Sequence, residues 1–136
     1  GKKSLDVALP EKVESRYGGY SSELAVAHLE AVGAVYEGYY FTLLGPSGDG
    51  YGLFEALEAL EADYNGQPLA TAIRAQFTAT AAALAALPDP LQDAVLNNTA
   101  PVEAAYTELQ RLIVLLKTDL PSAMGILITY TDNDGD

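Results

Sequence analysis

Apolar residues recur at steps of three and four along most of this chain, and that spacing constrains its fold more than any other feature. The first pattern follows Ser21 and Ser22, whose hydroxyls suit a helix start, and it predicts a helix over about 22–44. The glycine-rich run 45–52 ends that helix, because so many residues that tolerate positive φ are costly inside one. A second helix is predicted over about 53–64.

Prolines mark the limits of the later helices. A third helix is predicted from Pro68 to Leu87, because proline is tolerated in a first helical turn. A short helical turn over 91–98 and a fourth helix over about 102–117 follow. Residues 125–131 are β-branched and apolar, which indicates one extended segment.

These patterns predict an all-α fold, an up-and-down four-helix bundle with a short extended carboxy-terminal segment. We expect a lead-in segment over 1–20 and one helical bundle domain over 21–136, since 136 residues suffice for a single domain. The chain begins with Gly1 and two lysines and shows no signal peptide, so we also expect a longer native gene product.

Charge and cysteine content exclude several classes of function. Seven Lys and Arg against nineteen Asp and Glu give a formal charge of -12, which repels phosphate backbones, so we expect no nucleic-acid partner. The sequence contains no run of 18 apolar residues and predicts no transmembrane segment. With no Cys and one His, it cannot by itself build a zinc site, an iron–sulfur cluster or a disulfide framework.

His28 is the single imidazole and therefore the first candidate for chemistry. A partner on the same helical face would lie three or four positions away, where the chain has Leu24, Ala25, Ala31 and Val32. None of these can share a metal or a proton with it. We interpret His28 as a packed or hydrogen-bonded structural residue.

Four carboxylates concentrate on the predicted second helix. Residues three apart are neighbours on a helix, so Glu55, Glu58, Glu61 and the nearby Asp63 could attract a hard cation. Carboxylates spread along a helix rarely form a closed oxygen cage. The interpretation that we favour is a solvated face that keeps the protein soluble.

The loops carry weaker motifs. The run 45–52 lacks the Gly-Lys-Ser/Thr ending of a phosphate-binding loop, and Ser47 lies in turn-forming sequence rather than in a nucleophile elbow. Acidic residues alternate through 132–136 as in a calcium loop, but Tyr130 stands where the first carboxylate belongs. Neither segment predicts a catalytic site.

Tyrosines gather around the first helix and the loop after it. Tyrosine has one polar and one apolar end, which suits either an interface or a buried position. We favour buried packing for this group and leave an interface or a ligand surface as the alternative. Its members are Tyr17, Tyr20, Tyr36, Tyr39, Tyr40 and Tyr51.

Three stretches together resemble a known family. The first is Glu-Ser-Arg-Tyr-Gly-Gly-Tyr-Ser at 14–21, and the second is Gly-Asp-Gly-Tyr-Gly-Leu at 48–53. The third is the run 112–136, with its Leu-Lys-x-Asp, Ala-x-Gly and Asp-Asn-Asp-Gly-Asp elements. The chain resembles the carboxy-terminal half of imelysin-like proteins from about residue 10 onward.

This resemblance implies a protein of the bacterial envelope, in the periplasm or anchored to the outer membrane, and often a lipoprotein. It implies iron-regulated expression, a role in iron uptake, and two helical halves with a site between them. The family is also classed as a metallopeptidase (M75) because of a Gly-x-His-x-x-Glu motif in its first half. Around His28 the corresponding positions hold Val26 and Ala31, so no metal ligand carries over to this chain.

We therefore expect a non-catalytic binding module, the second half of an imelysin-like iron-uptake protein, with the other helical half as its partner. Half of a metallopeptidase and a purely structural bundle are the alternatives. Iron, an iron complex and calcium remain open as ligands, and no cofactor is predicted. The residues that could form part of a ligand site, none of them catalytic or metal-binding, are Glu14, Ser15, Asp49, Tyr51, Asp119, Asp132, Asn133 and Asp134.

Overall fold

Helices make up most of the structure, a computed structural model that describes residues 8–40, 42–43 and 47–127. The long helices are α1 (Ser21–Glu37), α3 (Leu69–Ala85) and α5 (Thr99–Val114), and the short ones are α2 (Leu53–Ala59), α4 (Leu91–Asn97) and α6 (Leu120–Ala123). A 3-10 turn, Pro10–Lys12, precedes them, and a π-helical turn, Leu115–Asp119, joins α5 to α6.

Two small antiparallel hairpins interrupt the helices. Strand β1 (Tyr39–Tyr40) pairs with β2 (Gly48–Asp49), so that Tyr39 lies opposite Asp49. Strand β3 (Asp63–Tyr64) pairs with β4 (Gln67–Pro68) around an Asn-Gly turn. Both turn residues have positive φ, 53° and 84°, as a tight hairpin of this kind requires.

The predicted ends of the first two helices are wrong. The first helix stops at Glu37 instead of 44, because Gly38 adopts a left-handed conformation (φ 82°) and caps it. The second stops at Ala59 instead of 64, since Glu61 has positive φ (49°) and the next residues enter the β3–β4 hairpin. The third helix and the short turn over 91–98 are observed close to their predicted bounds.

Contacts at both ends fix the directions of the long helices. The Tyr36 hydroxyl, at the end of α1, donates to the carbonyl of Ala70 at the start of α3 (2.9 Å). At the other end, the Ser22 amide donates to Oδ1 of Asp89, just beyond α3 (3.3 Å). Helix α3 therefore runs antiparallel to α1. The all-α prediction is confirmed, whereas the up-and-down order of four helices stays a prediction.

The core consists of two clusters of buried side chains. One lies where α1 ends and α3 begins, and the other lies towards the opposite end of α3. The half-buried Phe77 and Leu116 pack against both clusters and join them. The first cluster contains Tyr36, Phe54, Leu57, Leu69, Ala70, Ile73, Leu115 and Leu120, and the second contains Leu29, Leu84, Ala105 and Leu112.

Only residues 125–127 of the extended segment predicted over 125–131 are described, and they contain no strand. Helix α6 includes Pro121, whose carbonyl accepts the Ile126 amide (2.9 Å), and Gly125 turns the chain with φ 67°. Ile126 and Leu127 have no regular secondary structure, and 128–131 lie outside the described residues. Among the helices that the structure describes, none is both long and apolar enough to span a membrane.

Candidate functional site: a groove between α3 and α5

The predicted site residues near the amino terminus serve the entry to α1. The Glu14 carbonyl accepts the Ser21 hydroxyl, and the Ser15 carbonyl accepts the amides of Gly18 (2.9 Å) and Gly19 (3.1 Å). Ser15 itself has positive φ (53°). These contacts hold a turn against the start of α1.

The remaining predicted residues that the structure describes lie at the other end of α1. Asp49 is in β2, the exposed Tyr51 precedes α2, and the half-buried Asp119 ends the π-helical turn. Helix α1 has 17 residues, so about 25 Å separates this end from Glu14 and Ser15. The predicted residues therefore do not form one site, and Asp132, Asn133 and Asp134 lie outside the described residues.

Two expectations about the first helix are wrong. His28 is exposed rather than packed, because the buried stripe of α1 passes through its neighbour Leu29 and through Tyr36. Of the tyrosine group, only Tyr36 is buried. The others are more than two-fifths exposed: Tyr17, Tyr20, Tyr39, Tyr40 and Tyr51.

Three glycines let α1 and α2 meet at a tight corner. The Gly50 amide donates to the Gly38 carbonyl (3.1 Å). A β-carbon on Gly38 would lie 2.6 Å from the Gly50 carbonyl oxygen, and one on Gly52 would lie 2.4 Å from the Gly38 nitrogen. Because both contacts are with backbone atoms, a side chain at either position would push the two helices apart.

Glu55 caps the start of α2 at this corner. Its Oε2 accepts the Gly52 amide (2.8 Å). That bond favours the ionised carboxylate and lowers the pKa of Glu55. Of the acidic group on α2, Glu55 thus has a structural role, while Glu58 and Glu61 are exposed.

An ion pair closes the same corner. Arg74 Nε donates to Glu37 Oε1 (2.8 Å), and the second guanidinium nitrogen pairs with Oε2. The Arg74 guanidinium carbon also lies 3.3 Å from the centre of the Phe54 ring. The hydrogen bonds that Arg74 donates to Glu37 raise the pKa of Arg74. Its charge is satisfied within the fold, so this corner positions α1, α2 and α3 rather than binding a ligand.

A groove of about 880 Å³ lies between α3 and α5. Small side chains from α3, Ala72, Ala75 and Ala79, form one wall. Tyr106 and Val114 contribute to the α5 wall, and their side chains are 40% and 52% exposed. Such a groove, apolar with a few polar groups, is the usual form of a binding site.

Three polar side chains of the groove, those of Gln76, Glu108 and Arg111, are connected to one another. Gln76 Nε2 donates to the Glu108 carboxylate (2.7 Å) and to the Glu108 carbonyl (3.1 Å). Glu108 also pairs with Arg111 at 2.5 Å. These contacts leave the groove close to neutral inside a strongly acidic chain, which favours an apolar occupant over an ion.

Sequence analysis did not find this groove. The sequence does contain a pattern that could have indicated it: Ala72, Ala75 and Ala79 follow one helical face at steps of three and four, which marks a stripe of small side chains. The described residues contain no group of three or more His, Cys, Asp or Glu side chains arranged to hold a metal ion.

Comparison with known proteins decides the family. The family model described as imelysin, peptidase M75, matches residues 2–118. The chain belongs to the imelysin family. No curated protein and no solved structure matches it. The groove, the glycine corner and the Arg74 ion pair all lie inside the imelysin match, and the acidic run 132–136 lies beyond it.

Proposed function

We propose that this imelysin-family chain is a binding module of the bacterial cell envelope that serves iron uptake and is not catalytic by itself. Its α3–α5 groove receives the other helical half of the protein. The observation that carries this proposal is the groove itself, an apolar trough along two long helices with no chain segment of the described structure seated in it.

The walls of the groove suit a helix as the occupant. Alanines at 72, 75 and 79 allow another backbone to approach closely, within the 8–10 Å typical of packed helices. On α5, Tyr106 and Val114 line the groove, are 40% and 52% exposed, and would become buried on docking. The Gln76–Glu108–Arg111 set is internally paired, so docking leaves no charge unpaired.

A tight metal site would need donor atoms from the partner half, because this chain supplies few of the side chains that bind transition metals. The sequence supplies one His and no Cys, and His28 is exposed on α1. Asp49 and Asp119 lie at the same end of the bundle and add to the negative field that concentrates cations. Iron or an iron complex would thus be held between the halves and not by this half alone.

A docking experiment tests the groove. A separately produced imelysin first half, carrying the Gly-x-His-x-x-Glu motif, is titrated into the chain by calorimetry. Ala75→Arg places a long cation in the groove and should abolish binding. Ala31→Arg, the same change at an exposed position of α1 away from the groove, is the matched control and should bind normally. Circular dichroism checks that both variants remain folded.

Equal binding by the two variants would refute the groove as the docking surface. Titration of the isolated chain with ferric, ferrous and zinc salts at raised ionic strength tests the metal statement, and a salt-resistant sub-micromolar site would contradict it. Cleavage of peptides by the two halves together with zinc would instead favour the metallopeptidase alternative. Docking without any ligand or activity would favour the structural one.

A further inference from the structure

A second, smaller groove of about 450 Å³ lies between the first half of α1 and the end of α3. Its floor is apolar and is formed by side chains such as Val26, Leu84 and Leu87. Every ionisable side chain that lines it is a carboxylate, namely Glu23, Glu30 and Asp89. No ion pair in the described part of the chain involves any of the three.

Ser22 adds an observation independent of the charges. It lines this groove, it is 6% exposed, and its hydroxyl has no hydrogen-bond partner among the described residues. The neighbouring Ser21 hydroxyl, by contrast, is bonded to the Glu14 carbonyl. A buried hydroxyl without a partner costs free energy, and a donor group brought by a ligand would remove that cost.

We propose that this groove binds an aliphatic diamine. One ammonium group would lie beside Asp89, Glu23 and the Ser22 hydroxyl, and the hydrocarbon chain would cover the apolar floor. The second ammonium group would pair with Glu30. Positions 23 and 30 are seven residues apart on α1, a rise of about 10 Å, which sets the separation of the two nitrogens.

The field at the start of α1 is compatible with this arrangement. A helix amino terminus opposes a nearby cation, but Asp89 already accepts the Ser22 amide there (3.3 Å) and supplies a compensating negative charge. The other two carboxylates and the chain's charge of -12 act in the same direction. The groove therefore offers negative charge to each ammonium group and an apolar surface to the alkyl chain between them.

Calorimetry on the full chain with three amines tests the proposal. The probes are 1,8-diaminooctane, which spans the groove, 1,3-diaminopropane, which is too short, and n-octylamine, which has one charge. We expect 1,8-diaminooctane to bind most tightly, with a stoichiometry of one. Glu30→Gln should weaken it by about fivefold, the exchange of one exposed ion pair, and should leave n-octylamine unchanged.

Glu103→Gln is the matched control, because it removes the same charge from an exposed position of α5. It should leave all three affinities unchanged. Ser22→Ala should weaken both octyl compounds, since it removes the acceptor for the first ammonium group. Equal effects of Glu30→Gln and Glu103→Gln, equal affinities for the three amines, or no binding of 1,8-diaminooctane would each overturn the proposal.

Discussion

Tyr36 provides the hydrogen bond that ties the end of α1 to the start of α3. The residue is 1% exposed, and its hydroxyl donates to the Ala70 carbonyl at 2.9 Å. Tyr36→Phe removes that bond but keeps the ring contacts with Phe54 and Phe77, whose ring centres lie 6.1 and 5.5 Å away. A lost hydrogen bond costs about 1 kcal/mol, so at pH 8 we expect the variant to melt about 4 °C lower.

The Tyr36 hydroxyl also makes the stability difference between the wild type and Tyr36→Phe depend on pH. Burial, and then the negative charge of Glu37, raise the pKa of Tyr36 above its ordinary value of about 10. The contribution of the neutral Tyr36 side chain to the free energy of unfolding is complete below pH 10. It is lost as the pH rises towards the pKa of the folded state, because in that range this tyrosine ionises in the unfolded chain and not in the folded one. By pH 11 the wild type loses about 1.4 kcal/mol relative to the variant, which closes or reverses the difference.

Thermal melting at pH 8 and urea unfolding at pH 8 and pH 11, both followed by circular dichroism, measure the two effects. Tyr51→Phe is the control, because it makes the same chemical change on a side chain that is 75% exposed. It should match the wild type at pH 8 within about 0.5 kcal/mol. A Tyr36→Phe variant as stable as wild type at pH 8, or a difference that does not shrink by pH 11, would refute this reasoning.

Four further substitutions test the fold by thermal melting. Gly33→Ala should raise stability by about 1 kcal/mol, because it lies inside α1 and the nearest side-chain atom, from Phe77, is 3.8 Å from the new β-carbon. Gly52→Ala should lower it by about 1–3 kcal/mol, since the new atom meets the backbone at 2.4 Å; equal effects of the two changes would contradict the corner. Glu55→Gln should destabilise at pH 7, and the difference should shrink as the pH falls from the ordinary range of a glutamate carboxyl through the lowered pKa of Glu55; a difference that does not change with pH would argue against the cap. His28→Ala should stay within about 0.5 kcal/mol of the wild type, and a larger loss would mean that this exposed imidazole has a structural role.

Helical periodicity identified the helices because it reports which face of each segment is apolar, a local property. It extended α1 too far, since Leu43 continues the spacing of Leu29 and Tyr36 beyond Gly38, where the chain turns. The Gly38 amide closes the helix on the carbonyls of Ala34 and Val35, and the Gly38 carbonyl accepts the Gly50 amide from the far side of the next hairpin. That contact is made between residues distant in sequence, so no local pattern contains it.

The groove could not be located from the sequence for a similar reason. It exists because α3 packs beside α5, which brings Gln76 against Glu108, 32 residues later. Individually, Ala72, Ala75 and Ala79 are ordinary helix-forming residues, and only the position of α5 turns them into a wall. The family resemblance rested instead on loop and tail motifs, which are readable without any packing.

Amide hydrogen exchange of the chain with and without the imelysin first half tests the central claim most directly. The account predicts slower exchange on docking at residues 72–79 of α3 and 106–114 of α5, the two walls of the groove. Residues 21–30 of α1 lie away from the groove and should exchange at unchanged rates. Protection confined to α1, or no protection in either wall when the two halves are bound, would contradict the account.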